Sequence, residues 1–270
     1  MRAEASAAGR WLATLRWAGL MGAGLALVVL AASILLRMSS RFEPDGVLVS
    51  LLPPVLEQSA RLVHRLAAST SGVLALLCVV AGIKTRRLHP EFRMPIMVIG
   101  VMTLLLAAVG PLTPGYRHDW VTVCNVWGGT ILVASYWWLH LLVVNGPTAP
   151  AHNIWLRWTL VTWLVHIALG AAASAQYMRG QHWLGFLHSA TAMLTAVLLA
   201  ASLREAWQSR HRPGLVRFLA GAFALQMALG IIALWSDVVP VALGTAHALL
   251  SAALALGMVA LYATGNHNTD

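Results

Sequence analysis

The chain has 270 residues, 59% of them hydrophobic and 10% charged, with a formal net charge of +9 and a mean hydropathy of +0.74. That balance excludes a water-soluble globular protein of ordinary make-up. Its apolar runs are continuous rather than alternating, which excludes a β-barrel and leaves helices to satisfy backbone polar groups inside a bilayer.

The expected class is therefore all-α integral membrane, with eight spans of about 17 to 25 residues each. A basic lead with Arg2, Arg10 and Arg16 precedes the first span, Trp17–Leu36. The length of that span and the lack of a small-residue cleavage site predict a retained helix rather than a signal peptide. Its Gly19, Gly22 and Gly24 permit close helix contact. Residues 37–57 form the longest expected outer loop, with Glu43, Asp45, Glu57 and the Pro53-Pro54 break.

The second span, Leu66–Ile83, is preceded by a polar helical start carrying Glu57, Arg61, His64 and Arg65. Glu57 stands four residues before Arg61, the spacing of a helical ion pair, and seven before His64, on the same face. Two readings stand side by side: an interfacial ion pair with a snorkelling arginine, or His64 facing the bundle while Arg61 or Arg65 meets ligand carboxylates. Met94–Gly110 is the third span, closed by Pro111 and Pro114, and Trp120–Val144 the fourth, with Cys124, Asn125, Gly128, Gly129 and His140. Cys78 and Cys124 differ in depth by roughly 20 Å at about 1.5 Å per residue, too far for a disulfide.

The Pro-rich stretch Asn145–Arg157 is the expected seam between two halves, residues 1–145 and 146–270. Beyond it lie spans Trp158–Met178, Gln181–Leu203, Phe218–Ser236 and Val238–Leu261. Basic residues cluster before the first span, at Lys84–Arg93, and at Arg204–Arg217, all on one side of an eight-span chain. By the positive-inside bias that side is the cytoplasm, with both termini there. The positive charge is thereby used for topology, and no basic patch remains for nucleic acid.

Four positions recur, three of them histidine. His64, Asn125, His188 and His247 each lie near the outer start of an even-numbered span, at steps of 61, 63 and 59 residues. A period held that closely reads as one helical hairpin used four times. The later copies share more: His166 stands four before Gly170 and precedes His188, and Gln226 stands four before Gly230 and precedes His247. A histidine in an apolar span is costly unpartnered, so each is expected either to hydrogen-bond between helices or to mark a functional site. Two imidazoles at one depth on opposing helices, with apolar walls, form a heme clamp, and His188 with His247 meet that description. His166 and Gln226 either hydrogen-bond across the repeat or line the pocket. His89, His118, His152, His182, His211 and His267 are expected in solvated loops, and His140 at the inner interface.

At these residues the chain resembles the heme A synthase family of cytochrome oxidase assembly, eight-helix proteins of two four-helix halves. The likeness is carried by Val-His-Arg at Val63–Arg65, Phe-Leu-His at Phe186–His188, and the pattern of Gln226, Leu229, Gly230, Pro240 and His247. The resemblance implies oxidation of a methyl group of heme O to the formyl of heme A. A heme b cofactor between His188 and His247 would serve it, with the substrate heme at His64 in the first half and Glu57 and Asn125 nearby. It also implies a membrane electron donor or oxidase assembly partners, with homo-oligomers allowed, in a bacterial-type inner (plasma) membrane. The chain departs from the family at Asn125, where a histidine is expected, at Arg61, where a glutamate is expected, and in lacking a cysteine pair within residues 37–57. The departures admit a second reading: a catalytically degenerate heme b protein for electron transfer, heme handling or oxidase assembly.

Overall fold

In the computed structural model the described residues are 2–42, 48–87, 89–113, 118–146, 153–177, 183–210, 212–236 and 239–264. Glu43, Asp45, Pro114, His152, His182, His211 and His267 lie outside them. Eight α-helices run in chain order: α1 (Arg2–Met38), α2 (Pro54–Thr85), α3 (Arg93–Val109), α4 (Asp119–Asn145), α5 (Ile154–Tyr177), α6 (Trp183–Gln208), α7 (Pro213–Leu234) and α8 (Val241–Ala263). Each lies in a helical stretch long and apolar enough to cross a membrane, α3 together with the 3-10 turns that flank it, as Pro90–Leu112. At about 1.5 Å per residue, the 22 residues of α7 reach roughly 33 Å, against a hydrocarbon layer of about 30 Å.

Local chemistry accounts for several boundaries. Helices α2 and α7 start on Pro54 and Pro213, and α8 starts just after Pro240. Proline at a helix start sacrifices no hydrogen bond and arrives with φ already set. Two helices outrun the apolar spans. Helix α1 continues back to Arg2 because the basic lead consists of helix formers with no proline to stop it. Helix α2 takes in the polar start from Pro54, with Glu57 and Arg61 paired on its surface.

The segment expected as a plain loop holds a small hairpin. Strands β1 (Ser40–Phe42) and β2 (Leu48–Ser50) pair antiparallel, with Arg41 opposite Val49.

Helices α1 to α4 share one apolar core, centred on Leu15, Cys78, Ile99, Tyr136 and Leu139. Helix α1 lies close along α4 because Gly19 and Gly22 leave room: a Cβ on Gly19 would sit 3.0 Å from the His140 backbone nitrogen, and one on Gly22 2.5 Å from the Tyr136 ring. The Tyr136 hydroxyl then donates to the Ser71 carbonyl at 2.8 Å, tying α4 to α2. Gly128 and Gly129 likewise close on Leu106 and Leu30 of the same chain, whereas Gly24 has no such neighbour. Both cysteines are free, Cys78 buried and Cys124 partly exposed.

Helices α5 to α8 form a second core, around Trp163, Leu199, Leu219, Leu254 and Met258, with Val126 of α4 joining it. The Trp163 indole donates to the Ser251 carbonyl at 3.2 Å, tying α5 to α8. Helix α4 packs on both α5 and α8. A third cluster of Leu30, Ile34 and Ala252 joins α1 to α8. The neighbour relations of the first four helices recur in the last four: α1 with α2 as α5 with α6, α3 with α4 as α7 with α8, α1 with α4 as α5 with α8.

Gly22→Ala forces a methyl into the Tyr136 ring, an overpacking that costs about 1–3 kcal/mol. Its thermal unfolding midpoint in detergent is expected to fall, while Gly24→Ala, with open space around it, leaves the midpoint unchanged.

Candidate functional site: a cluster of imidazoles between α5, α6, α7 and α8

His188 lies in the second turn of α6 and His247 in the second turn of α8. Their ring centroids are 6.2 Å apart, with the planes inclined at 74°. Each ring is seated by the helix that precedes its own. For His188 that helix is α5. A Cβ on Gly170 would lie 2.7 Å from the His188 Cε1, so only glycine leaves room for the ring. For His247 it is α7, where a Cβ on Gly230 would lie 3.2 Å from Cε1. The glycines of the repeated Leu-Gly pairs are thus ring seats, a purpose their spacing alone does not announce.

Hydrogen bonds set the tautomers. The His188 Nδ1 is 3.2 Å from the His166 carbonyl. A carbonyl only accepts, so Nδ1 carries the proton and Nε2 keeps its lone pair. His247 reaches the same tautomer by another route. Its Nε2 lies 3.1 Å from the amide Nε2 of Gln226; an amide nitrogen only donates, so His247 Nε2 accepts and Nδ1 holds the proton. That Nδ1 is buried without a partner, and so is the Gln226 Oε1.

His166 belongs to the same cluster. It is 4% exposed and its ring stacks on His188 with centroids 4.0 Å apart and planes within 12°. The Thr191 hydroxyl donates to the His188 carbonyl at 2.8 Å, and its oxygen receives the His166 Nδ1 proton at 3.3 Å. Trp163 flanks His166, with ring centroids 5.5 Å apart. Thr191 and Trp163 are the participants that sequence reasoning missed. Threonine three residues after a buried histidine was the available signal.

The first-half residues are placed apart from this cluster. His64 is half-buried, and its Nδ1–H donates to the Val29 carbonyl of α1 at 3.2 Å. This bond matches that of His188 to α5, since Val29 precedes a small residue, Ser33, by four positions as His166 precedes Gly170. The Asn125 amide instead donates to the Thr113 hydroxyl at 3.0 Å, and no hydrogen bond links it to His64. Arg61 is exposed and donates to Glu57, Nε to Oε1 at 2.9 Å. Arg65 is exposed on α2. Neither arginine makes a hydrogen bond or ion pair with the imidazole cluster. Toward the C-terminal end of α4, His140 donates to the Arg16 carbonyl at 3.0 Å and stacks on Trp137. His89 pairs with Glu91 at 3.0 Å in the short turn before α3.

The donor set limits what this cluster can bind. Among the described residues no group of three or more His, Cys, Asp or Glu side chains is arranged to hold a bare metal ion. His166 stacks flat on His188, so its nitrogens do not converge with those of His188 on one centre. A porphyrin iron already has four nitrogens and asks the protein for two more. With metal–nitrogen bonds of about 2 Å and about 1 Å from nitrogen to ring centre, two axial imidazoles stand with centroids roughly 6 Å apart. The 6.2 Å between His188 and His247, the Nε2 lone pair of His188 and the unpartnered polar atoms on His247 and Gln226 are compatible with that group, with the Gln226 amide standing on the His247 Nε2. The sequence matches no protein-family model and no curated protein.

The tautomers have a direct check. In a long-range nitrogen–proton NMR correlation on histidine-labelled protein without added heme, His64, His188 and His247 are expected as Nδ1–H tautomers. Gly170→Ala is expected to move the His188 signals and leave those of His64 in place. An Nε2–H tautomer at His188 contradicts the seating described here.

Proposed function

We propose that this chain is an integral membrane heme protein of the heme A synthase type, with His188 and His247 as the axial ligands of a heme b. The observation that carries the reading is the 6.2 Å separation of two half-buried imidazoles that share one tautomer, each seated against a glycine. In this reading the eight spans cross a bacterial-type inner membrane, the basic loops and both termini lie on its cytoplasmic face, and the two four-helix halves are pseudo-symmetric. The shared bond from His64 to Val29 and from His188 to His166 supports the last point.

A heme b at this position would supply one-electron redox chemistry. The chain's residues do the rest. His166 fixes His188 from one side with its carbonyl and from the other with its stacked ring, and Thr191 holds His166 in turn. Trp163 packs on His166 and Phe223 on Trp163, which backs the cluster with apolar side chains. In the first half, His64 would hold the substrate, heme O, through its free Nε2 lone pair; the four-electron oxidation of the methyl group toward the formyl of heme A would draw on dioxygen as the external oxidant. The pairing of Glu57 with Arg61 leaves Arg65 as the unpaired cation of that stretch, at the rim where heme carboxylates meet water.

The second reading, a one-heme protein for electron transfer, heme handling or oxidase assembly, is favoured by a different observation. Asn125 is turned to Thr113, and Tyr136 fills the centre of the first core, which leaves His64 without a protein partner across an iron.

Purified protein supplied with heme is expected to show a sharp alpha band on reduction, lost in both His188→Ala and His247→Ala. An unchanged spectrum in the two variants overturns the heme assignment. Pigment extracted from cells that supply heme O is expected to contain hydroxylated or formyl product during aerobic growth. A retained alpha band without any conversion selects the one-heme reading.

A further inference from the structure

The two imidazoles are held by partners of different kinds. His188 is held at Nδ1 by a helix carbonyl, which cannot move without unwinding α5, and no hydrogen bond occupies its Nε2. His247 is held at Nε2 itself, by the side-chain amide of Gln226. The lone pair that a metal would take from His247 is therefore already engaged.

The Gln226 contact is also incomplete. Gln226 is 3% exposed, yet its Oε1 lacks a partner and the His247 Nδ1 makes no well-formed hydrogen bond, the Gln226 backbone acting on the ring only through a weaker contact. A buried polar group left without a partner costs about 1–3 kcal/mol, so a purely structural contact at this depth would be expected to satisfy both ends of the amide. The glutamine side chain has three rotatable bonds and can leave. Gly230, one turn along the same helix, keeps the ring seated while it does so.

We infer that Gln226 is a displaceable cap on His247: its amide occupies the Nε2 lone pair until an iron takes it, making His247 the releasable axial ligand and His188 the fixed one. This rests on the heme b reading above and adds a direction to it. Heme arrives at His188 and is locked by His247; it is released when Gln226 takes His247 back. Gln226 is a positioning residue, acting through His247 without touching the reacting atoms.

The test uses the full-length protein in detergent, loaded with heme b, in wild-type form and as Gln226→Leu and Gln226→Met. Two rates are read: transfer of ferric heme to excess apomyoglobin, and carbon monoxide binding to the ferrous protein, which requires His247 to leave the iron. A buried hydrogen bond is worth about 1 kcal/mol net, or roughly a fivefold change. Both rates are expected to fall by about that factor in both variants. A residue that merely packs moves them the other way, because a cavity or a clash loosens the site. Unchanged or faster rates in both variants, with the wild-type alpha band intact, overturn the cap. Wild-type protein that binds heme with no bis-imidazole spectrum, and no differently from His247→Ala, overturns the heme assignment and the cap with it.

Discussion

Inside an apolar bundle a helix carbonyl already accepts one hydrogen bond and has a second lone pair to offer. That spare acceptor is what a neighbouring helix can use to fix an imidazole, and among the described residues it is used by His64 on Val29, by His140 on Arg16 and by His188 on His166. The carbonyl dictates which nitrogen is protonated, and the proton dictates which nitrogen faces outward with a lone pair. Ring seating follows from the same contact. A helix close enough to lend its carbonyl is close enough to collide with the ring, so the residue one turn on is glycine at position 170. The tautomer, the glycine and the helix spacing are one constraint seen three ways.

The site therefore has an order of rigidity. Trp163, Ser251 and Thr191 immobilise α5 and His166, His166 immobilises His188, and only the Gln226–His247 pair is held by two movable side chains. Stiffness is concentrated on one side of the gap between α6 and α8. A bound planar group would feel a wall on that side and a latch on the other.

Much of the architecture was legible in the residues. Continuous apolar runs gave the number and order of helices, because a bilayer permits no other backbone solution at that length, and the recurrence of His188 and His247 pointed to two imidazoles that the fold brings together. What was not legible was rotation about each helix axis. These helices are apolar nearly all round, so no polar stripe marks the inward face, and the stacking of His166 on His188 and the bond from Gln226 to His247 depend on that rotation. Asn125 shows the same limit: the period placed it beside the histidines, and a local bond to Thr113 turned it elsewhere. The hairpin of β1 and β2 was missed for another reason. Its strands are three residues each, too short for an alternating pattern, although Asp45-Gly46 between them is a turn signal.

The junction of α1 with α8 bears on how the molecule is made. Leu30 and Ile34 of α1 meet Ala252, and Met38 packs against Gly244 and receives the Ser174 hydroxyl at 3.6 Å. The earliest of the eight helices to leave the ribosome thus waits for the latest. Until α8 packs, the flank of α1 that carries Leu30 and Ile34 lacks its partner, and the imidazole of α6 has no counterpart. Arrival of the last helix closes the bundle and completes the pair of histidines in a single event.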